Sequence, residues 1–78
     1  MTQRRVLTIR DGSIRLGQAL KLADLVDSGT DAKDLIGAGE VLVNGTVDTR
    51  RGRQLVAGDV VEVAGLSVVI ETEAAGDA

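Results

Sequence analysis

The sequence predicts an α+β domain in which two short helices pack on a small antiparallel β-sheet. Apolar residues recur at helical spacing over Leu16, Ala19, Leu20 and Ala23. A second helix is announced by Ser28 and Asp31, which stand ahead of Ala32, Leu35 and Ile36. From Val41 onward, short valine-rich runs alternate with glycine-containing turns. A strand, two helices and then several short strands is the order expected when helices are segregated to one side of a sheet.

Arg5-Val6-Leu7-Thr8-Ile9 is rich in β-branched and apolar residues and reads as a strand. It stops at Asp11-Gly12, a dipeptide suited to a tight turn with positive φ. From Arg15 the period becomes helical. The first helix ends near Ala23, because the same periodicity carried further would rotate Asp27 onto the buried stripe, and Asp24 to Asp27 is left as a connector. Ser28 and Asp31 form a capping box with Asp in place of the usual Glu, so the second helix starts at about Gly29. Gly37 and Gly39 end it, the latter as the left-handed residue beyond the C-cap.

Val41-Leu42-Val43 is the next strand, Asn44-Gly45 a tight turn and Thr46-Val47 its continuation. Gln54-Leu55-Val56 is a further extended piece, and Ala57-Gly58-Asp59 turns the chain into Val60-Val61-Glu62-Val63. Gly65 allows a last reversal. In the final strand Leu66, Val68 and Ile70 alternate with Ser67, Val69 and Glu71, giving one apolar and one mixed face. These elements make a single domain over 1–78, with frayed ends expected at about 1–4 and 73–78 and no internal repeat or linker.

With 78 residues one core is feasible but marginal, since a domain of about 60 residues buries only about 60% of its unfolded surface. The chain has no Phe, Tyr or Trp, so Val, Leu, Ile and Ala must fill that core, and modest stability follows. Cysteine and histidine are absent as well, which removes disulfides, thiolate metal sites and the usual neutral-pH general base. No paired catalytic constellation stands out, so no enzymatic activity, metal or cofactor is expected. No segment approaches the ~20 apolar residues of a membrane helix, and the start lacks the apolar run of a signal peptide. A cytoplasmic location without a membrane partner is therefore expected.

The net charge is −3 with a pI of about 4.7, which alone argues against a non-specific nucleic-acid binder. The charge is uneven, however. All nine basic residues lie between Arg4 and Arg53, where seven acids accompany them, and the five remaining acids follow with no basic partner.

Arg15-Leu16, Ser28, Ala32-Lys33, Leu35-Ile36, the run Gly39-x-Val41-x-Val43-Asn44-Gly45 and Gly58-Asp59-Val60 fall in a recognisable order and spacing. In these residues the chain from about Ile14 to Val63, roughly two-thirds of its length, resembles the RNA-binding domain named after small-subunit ribosomal protein four, the αL motif. Leu20-Lys21, Ser28-Gly29 and Thr49-Arg50-Arg51 are most similar to the small stand-alone bacterial members. The chain departs from the wider pattern at Gly17, often aspartate, and at Gly29, often arginine.

The resemblance implies that RNA lies along the two helices and the adjoining loop, with Arg15, Lys21, Lys33, Arg50 and Arg51 as RNA-binding residues and Arg53 close by. The physical reading is compatible. Lys33 is expected in the first turn of the second helix, beside backbone N–H groups that favour an anionic phosphate. Arg50, Arg51 and Arg53 surround Gly52, where guanidinium forks can meet phosphate and glycine lets the backbone approach.

The plainer reading is that such charges decorate exposed faces and pair locally, as Lys21 would with Asp24. Arg4 and Arg5 would then only solubilise the terminus, and Ser28, Asn44 and Gly45 are cap and turn formers first. Without aromatic side chains, bases cannot be stacked on Phe or Tyr, so the expected partner is structured RNA, ribosomal or transfer RNA included, met through phosphate and 2′-hydroxyl contacts. One alternative is a protein-interaction module whose acidic sheet side, with Glu62, Glu71 and Glu73, docks a basic protein partner. A β-grasp sulfur carrier is less favoured, because the chain ends Ala75-Gly76-Asp77-Ala78 rather than Gly-Gly and places two consecutive helices before the turn.

Overall fold

In the computed structural model, which describes residues 3–73, the chain forms β1 (Gln3–Ile9), β2 (Ile14–Arg15), α1 (Leu16–Leu22), α2 (Gly29–Gly37), β3 (Val41–Val43), β4 (Thr46–Val47), β5 (Gln54–Leu55), β6 (Val60–Val63) and β7 (Leu66–Thr72). The five-stranded sheet has the order β1-β7-β6-β3-β4, and β2 pairs with β5 in a separate two-stranded ladder. Of the ends expected to fray, residues 1–2 and 74–78 lie outside the described residues. Gln3 and Arg4 belong to β1, opposite Leu66 and Ser67.

Residues paired across a ladder share a sheet face. The registers Val41 opposite Val63, Val43 opposite Val61, and Val61 opposite Val68 therefore gather the valines on one side. That side meets Leu16, Ala19 and Leu20 of α1 and Ala32 and Ile36 of α2 to form the core, all of them buried. The alternation in β7 holds in part: Val68 and Ile70 are buried and Glu71 is exposed, but Ser67 is buried as well and Leu66 only half-buried. Both helices thus lie on one face of a mostly antiparallel sheet.

One pairing departs from the antiparallel expectation. β1 runs parallel to β7, from Gln3 opposite Leu66 to Ile9 opposite Thr72. Parallel neighbours need a long crossover, and here both helices and five strands intervene between them. Asp11-Gly12 accordingly closes no hairpin, and Gly12 is absent from the positive-φ glycines of the described residues.

Helix ends explain why the connector is short. Ser28 Oγ accepts from the Asp31 N–H at 3.2 Å and starts α2. At the other end, Gly39 N–H donates to Ile36 O at 3.1 Å and Glu40 N–H to Leu35 O at 3.4 Å, the paired bonds of a Schellman motif with Gly39 at φ 77°. α1 ends in the same way but with an aspartate in the left-handed position. Asp24 has φ 63° and its N–H donates to Lys21 O at 3.1 Å, while Leu25 N–H donates to Leu20 O at 2.9 Å. Leu25 then packs against the core.

The β2–β5 ladder pairs Ile14 with Leu55 and Arg15 with Gln54, and so fastens the loop after β4 to the start of α1. Leu55 is completely buried and anchors this attachment. Leu55→Ala is expected to cost ~2–5 kcal/mol of unfolding free energy, the range for an unfilled leucine site. Urea denaturation measures it, and a wild-type midpoint would show that the loop is not held through the core.

Candidate nucleic-acid interface

The first amides of a helix have no acceptor within it. Arg15, the N-cap of α1, is extended and supplies no side-chain cap. The carbonyls of the loop after β4 take this role: Leu16 N–H donates to Arg53 O at 2.8 Å and Gly17 N–H to Arg51 O at 3.1 Å. Within the loop Arg53 N–H donates to Arg50 O at 3.2 Å, closing the turn Arg50-Arg51-Gly52-Arg53. The turn is thereby seated on α1, with the carbonyl oxygen of Arg51 3.7 Å from where a Cβ on Gly17 would stand.

This seating creates a groove of about 360 Å³ between the two helices and the loop. Gly17, Gln18 and Lys21 come from α1, Gly29 and Ala32 from α2, Arg51 and Gly52 from the loop, with Arg15 beside them. Three sequence-expected cations, Arg15, Lys21 and Arg51, are therefore brought to one rim. None of them has an ion-pair partner among the described residues, and the expected pairing of Lys21 with Asp24 is not formed. Between these long side chains, three glycines and Ala32 leave stretches of the groove bare, so a backbone can approach closely there. Gln18, not singled out in the sequence, adds an amide that can both donate and accept.

Lys33 is exposed on α2 and does not line the groove. With α2 beginning at Gly29, Lys33 is the fifth helical residue, in the second turn rather than the first. It stands four residues after Gly29 and so extends the same helix face.

Arg50 and Arg53 are differently placed. Both reach Asp48, a 6% exposed carboxylate that the sequence reading passed over. Asp48 Oδ1 accepts from the Arg50 N–H at 2.9 Å and from Arg50 Nε at 3.2 Å; Oδ2 accepts from Arg50 Nη2 at 3.0 Å and from Arg53 Nη1 at 2.8 Å. The Arg50 hydrogen bonds, first the side chain's and then the backbone N–H, hold the Asp48 carboxyl far below the usual carboxylate range, with Arg53 adding to them against the opposing effect of burial. The signal available in sequence was an aspartate two residues before an arginine, the spacing at which a carboxylate bonds the backbone ahead of it.

The remaining charges sort by side. Arg5 Nη1 donates to Ala23 O at 2.9 Å, tying β1 to the C-terminal end of α1. Glu73 pairs with Arg10 at 3.5 Å, so the expected acidic sheet side is partly neutralised. The densest acid lies elsewhere, in a groove of about 560 Å³ lined by Asp24, Asp27, Asp31, Asp34 and Glu40 together with Leu25, Val26, Leu35 and Ala38. Among the described residues there is no cluster of His, Cys, Asp or Glu able to hold a metal ion, and no helix long and apolar enough to cross a membrane.

Because the folded-state pKa of Asp48 is depressed, its stabilising contribution is complete above the unfolded-state value of about 3.9 and fades as pH falls below it toward the folded value. Asp48→Asn is expected to lower stability at pH 7 by roughly 1.5–3 kcal/mol, the range for hydrogen bonds to a charged group. The 71% exposure of the Arg50 side chain keeps this below the cost of breaking a fully buried pair. Urea titrations of both proteins at pH 7, 5 and 2.5 test the sign, since the gap must narrow on acidification below pH 4, and a widening gap would refute it.

Comparison with known proteins places this arrangement. The chain matches the S4 domain family over residues 7–71. It is 52% identical over 59 residues to the "Probable ribosome maturation protein RlbA" of Bacillus subtilis (strain 168), covering 76% of this chain and 83% of that one. It is 42% identical over 57 residues to YbcJ of Escherichia coli (strain K12), which carries the provisional name of an RNA-binding protein, covering 73% and 81% of the two chains. The solution structure of Escherichia coli YbcJ, described as revealing an αL motif involved in RNA binding, superposes with a TM-score of 0.64 at 35% identity over 91% of this chain and 89% of the other. In sequence and in fold, the chain belongs to the S4 domain family.

Proposed function

We propose that this protein is a non-enzymatic binder of structured RNA, which it meets with the groove between α1, α2 and the Arg50–Arg53 turn. The observation that carries the reading is the gathering of Arg15, Lys21 and Arg51, none in an ion pair among the described residues, around a groove walled by glycine. A guanidinium or ammonium on each side of a narrow slot suits successive phosphates of one strand, and small walls admit the ribose between them. Gln18 is placed to meet a 2′-hydroxyl, which both donates and accepts. Lys33 lengthens the track along α2, and Arg50 and Arg53 support it from behind through Asp48.

The acidic groove on the other side of α2 fits the same reading, because it repels phosphate and leaves the basic side as the face of approach. The absence of aromatic residues excludes stacking of bases on aromatic rings at this surface and favours recognition of RNA shape. The name of the Bacillus subtilis relative makes ribosomal RNA the first choice of ligand.

Fluorescence anisotropy with structured ribosomal and transfer RNA fragments across a salt series tests the proposal. Neutralisation of ~4 phosphates gives a log-log salt slope of about −3 by counterion release. The triple variant Arg15→Ala, Lys21→Ala, Arg51→Ala is expected to keep its fold, flatten the slope by about 2 and weaken binding more than tenfold. Absence of binding to every RNA at low salt, or full binding by the folded triple variant, would overturn it.

A further inference from the structure

We infer that Asp48 is a positioning residue that sets RNA selectivity: it withholds Arg50 and Arg53 from phosphate and holds the turn so that Arg51 alone of the three loop arginines faces the groove. This rests on the RNA reading of the groove and deepens it.

Four donor groups converge on one buried carboxylate, three from Arg50 and one from Arg53, at 2.8 to 3.2 Å. The paired contact of Arg50 Nε and Nη2 with the two carboxylate oxygens occupies the guanidinium edge that would otherwise grip a phosphate. Arg53 is held by one bond, from Nη1 to Asp48 Oδ2 at 2.8 Å, and its side chain is only 31% exposed. A phosphate could recruit either arginine only by displacing Asp48, which would leave a buried carboxylate without its partners. Arg51, between them in the chain, has no carboxylate partner among the described residues, and its carbonyl accepts from Gly17 N–H at 3.1 Å. The loop thus presents one free cation at a fixed place instead of three mobile ones.

The consequence has a sign that separates selectivity from simple electrostatics. Counterion release counts cations that neutralise phosphate, and here one carboxylate offsets one of the loop's three positive charges while its hydrogen bonds tie up two of the guanidinium groups. Freeing them adds contacts that any phosphate chain can use, whether structured or not. Binding then becomes stronger at low salt, steeper in salt and less discriminating.

The test compares wild type with Asp48→Asn for binding to a structured ribosomal RNA fragment and to a single strand of equal length without structure, across a salt series. The amide keeps one acceptor for the Arg50 N–H but carries no charge to hold the guanidinium groups. In the folded variant the salt slope is expected to steepen by about 0.8, for the one negative charge removed, and the preference for structured over unstructured RNA to fall several-fold. Asp48→Glu, which restores the charge, should recover a slope near wild type. A folded Asp48→Asn with unchanged slope and preference overturns the inference and leaves the RNA reading standing, whereas wild type that binds no RNA overturns both.

Wild type alone gives a second readout that does not depend on how the variant folds. In nitrogen-15 spectra titrated with the structured fragment, the Nε–Hε signal of Arg51 should shift while that of Arg50 stays in place. An Arg50 shift as large as that of Arg51 would also overturn the inference.

Discussion

Two backbone amides at the start of α1 hold the architecture of the basic face together. α1 has only seven residues, and a helix that short has little stability of its own. Its N-cap position contributes no side-chain bond, so Leu16 and Gly17 would be left without acceptors were it not for the carbonyls of Arg53 and Arg51. The exchange works in both directions. The helix start gains acceptors and partial negative charge where its dipole is positive, and a loop with no regular structure gains a fixed seat. Because the turn is fixed in that seat, Arg51 stands over the groove that Lys21 and Arg15 border.

The rest of the fold maintains that seat without aromatic residues. The branched side chains of β3, β6 and β7 make a dense inner sheet face, and Leu16, Leu20 and Ile36 fill the space between it and the helices. Leu55, buried among them, carries the loop's far end into the same core, so loop and helix are tied to one body at two points. Asp48 is a third attachment, polar where the others are a hydrophobic anchor and a backbone bond. A second polar fastening joins the neighbouring turns, where Asn44 Nδ2 donates to Asp59 Oδ1 at 3.0 Å and Asn44 Oδ1 accepts from Val60 N–H at 2.9 Å.

Features that depend on a few consecutive residues were legible in the sequence. Ser28 caps α2, Gly39 takes the left-handed position after it, and Asn44-Gly45 turns with φ of 54° and 85°, because each is decided by local sterics and one or two hydrogen bonds. The parallel pairing of β1 with β7 is decided by residues more than sixty positions apart, and nothing within Arg5–Ile9 expresses it. The end of α1 near Ala23 was legible from the periodicity, but its closing residue was not, since the left-handed position is usually announced by glycine and here its backbone strain is borne by Asp24. At the site, the residue types were visible but their division of labour was not. Arg50, Arg51 and Arg53 look alike in a loop, and only the folded position of Asp48 separates the two that bond to it from the one that lines the groove.

An acidic chain with a basic groove raises the question of range. α2 separates the two: Gly29 and Ala32 line the basic groove, and Asp31, Asp34 and Leu35 line the acidic one. The grooves are therefore about one helix diameter apart, ~10 Å, close to the Debye length of ~8 Å at physiological ionic strength. An RNA at a distance meets a molecule of net charge −3 and is not drawn in. At contact, screening removes most of the far side's repulsion, and on the proposed mode of binding the phosphates would meet the groove that Arg15, Lys21 and Arg51 line. Affinity in such a protein comes from fit within the groove rather than from long-range attraction, so an RNA whose backbone is already shaped to the slot has the advantage over a flexible strand that must be ordered first.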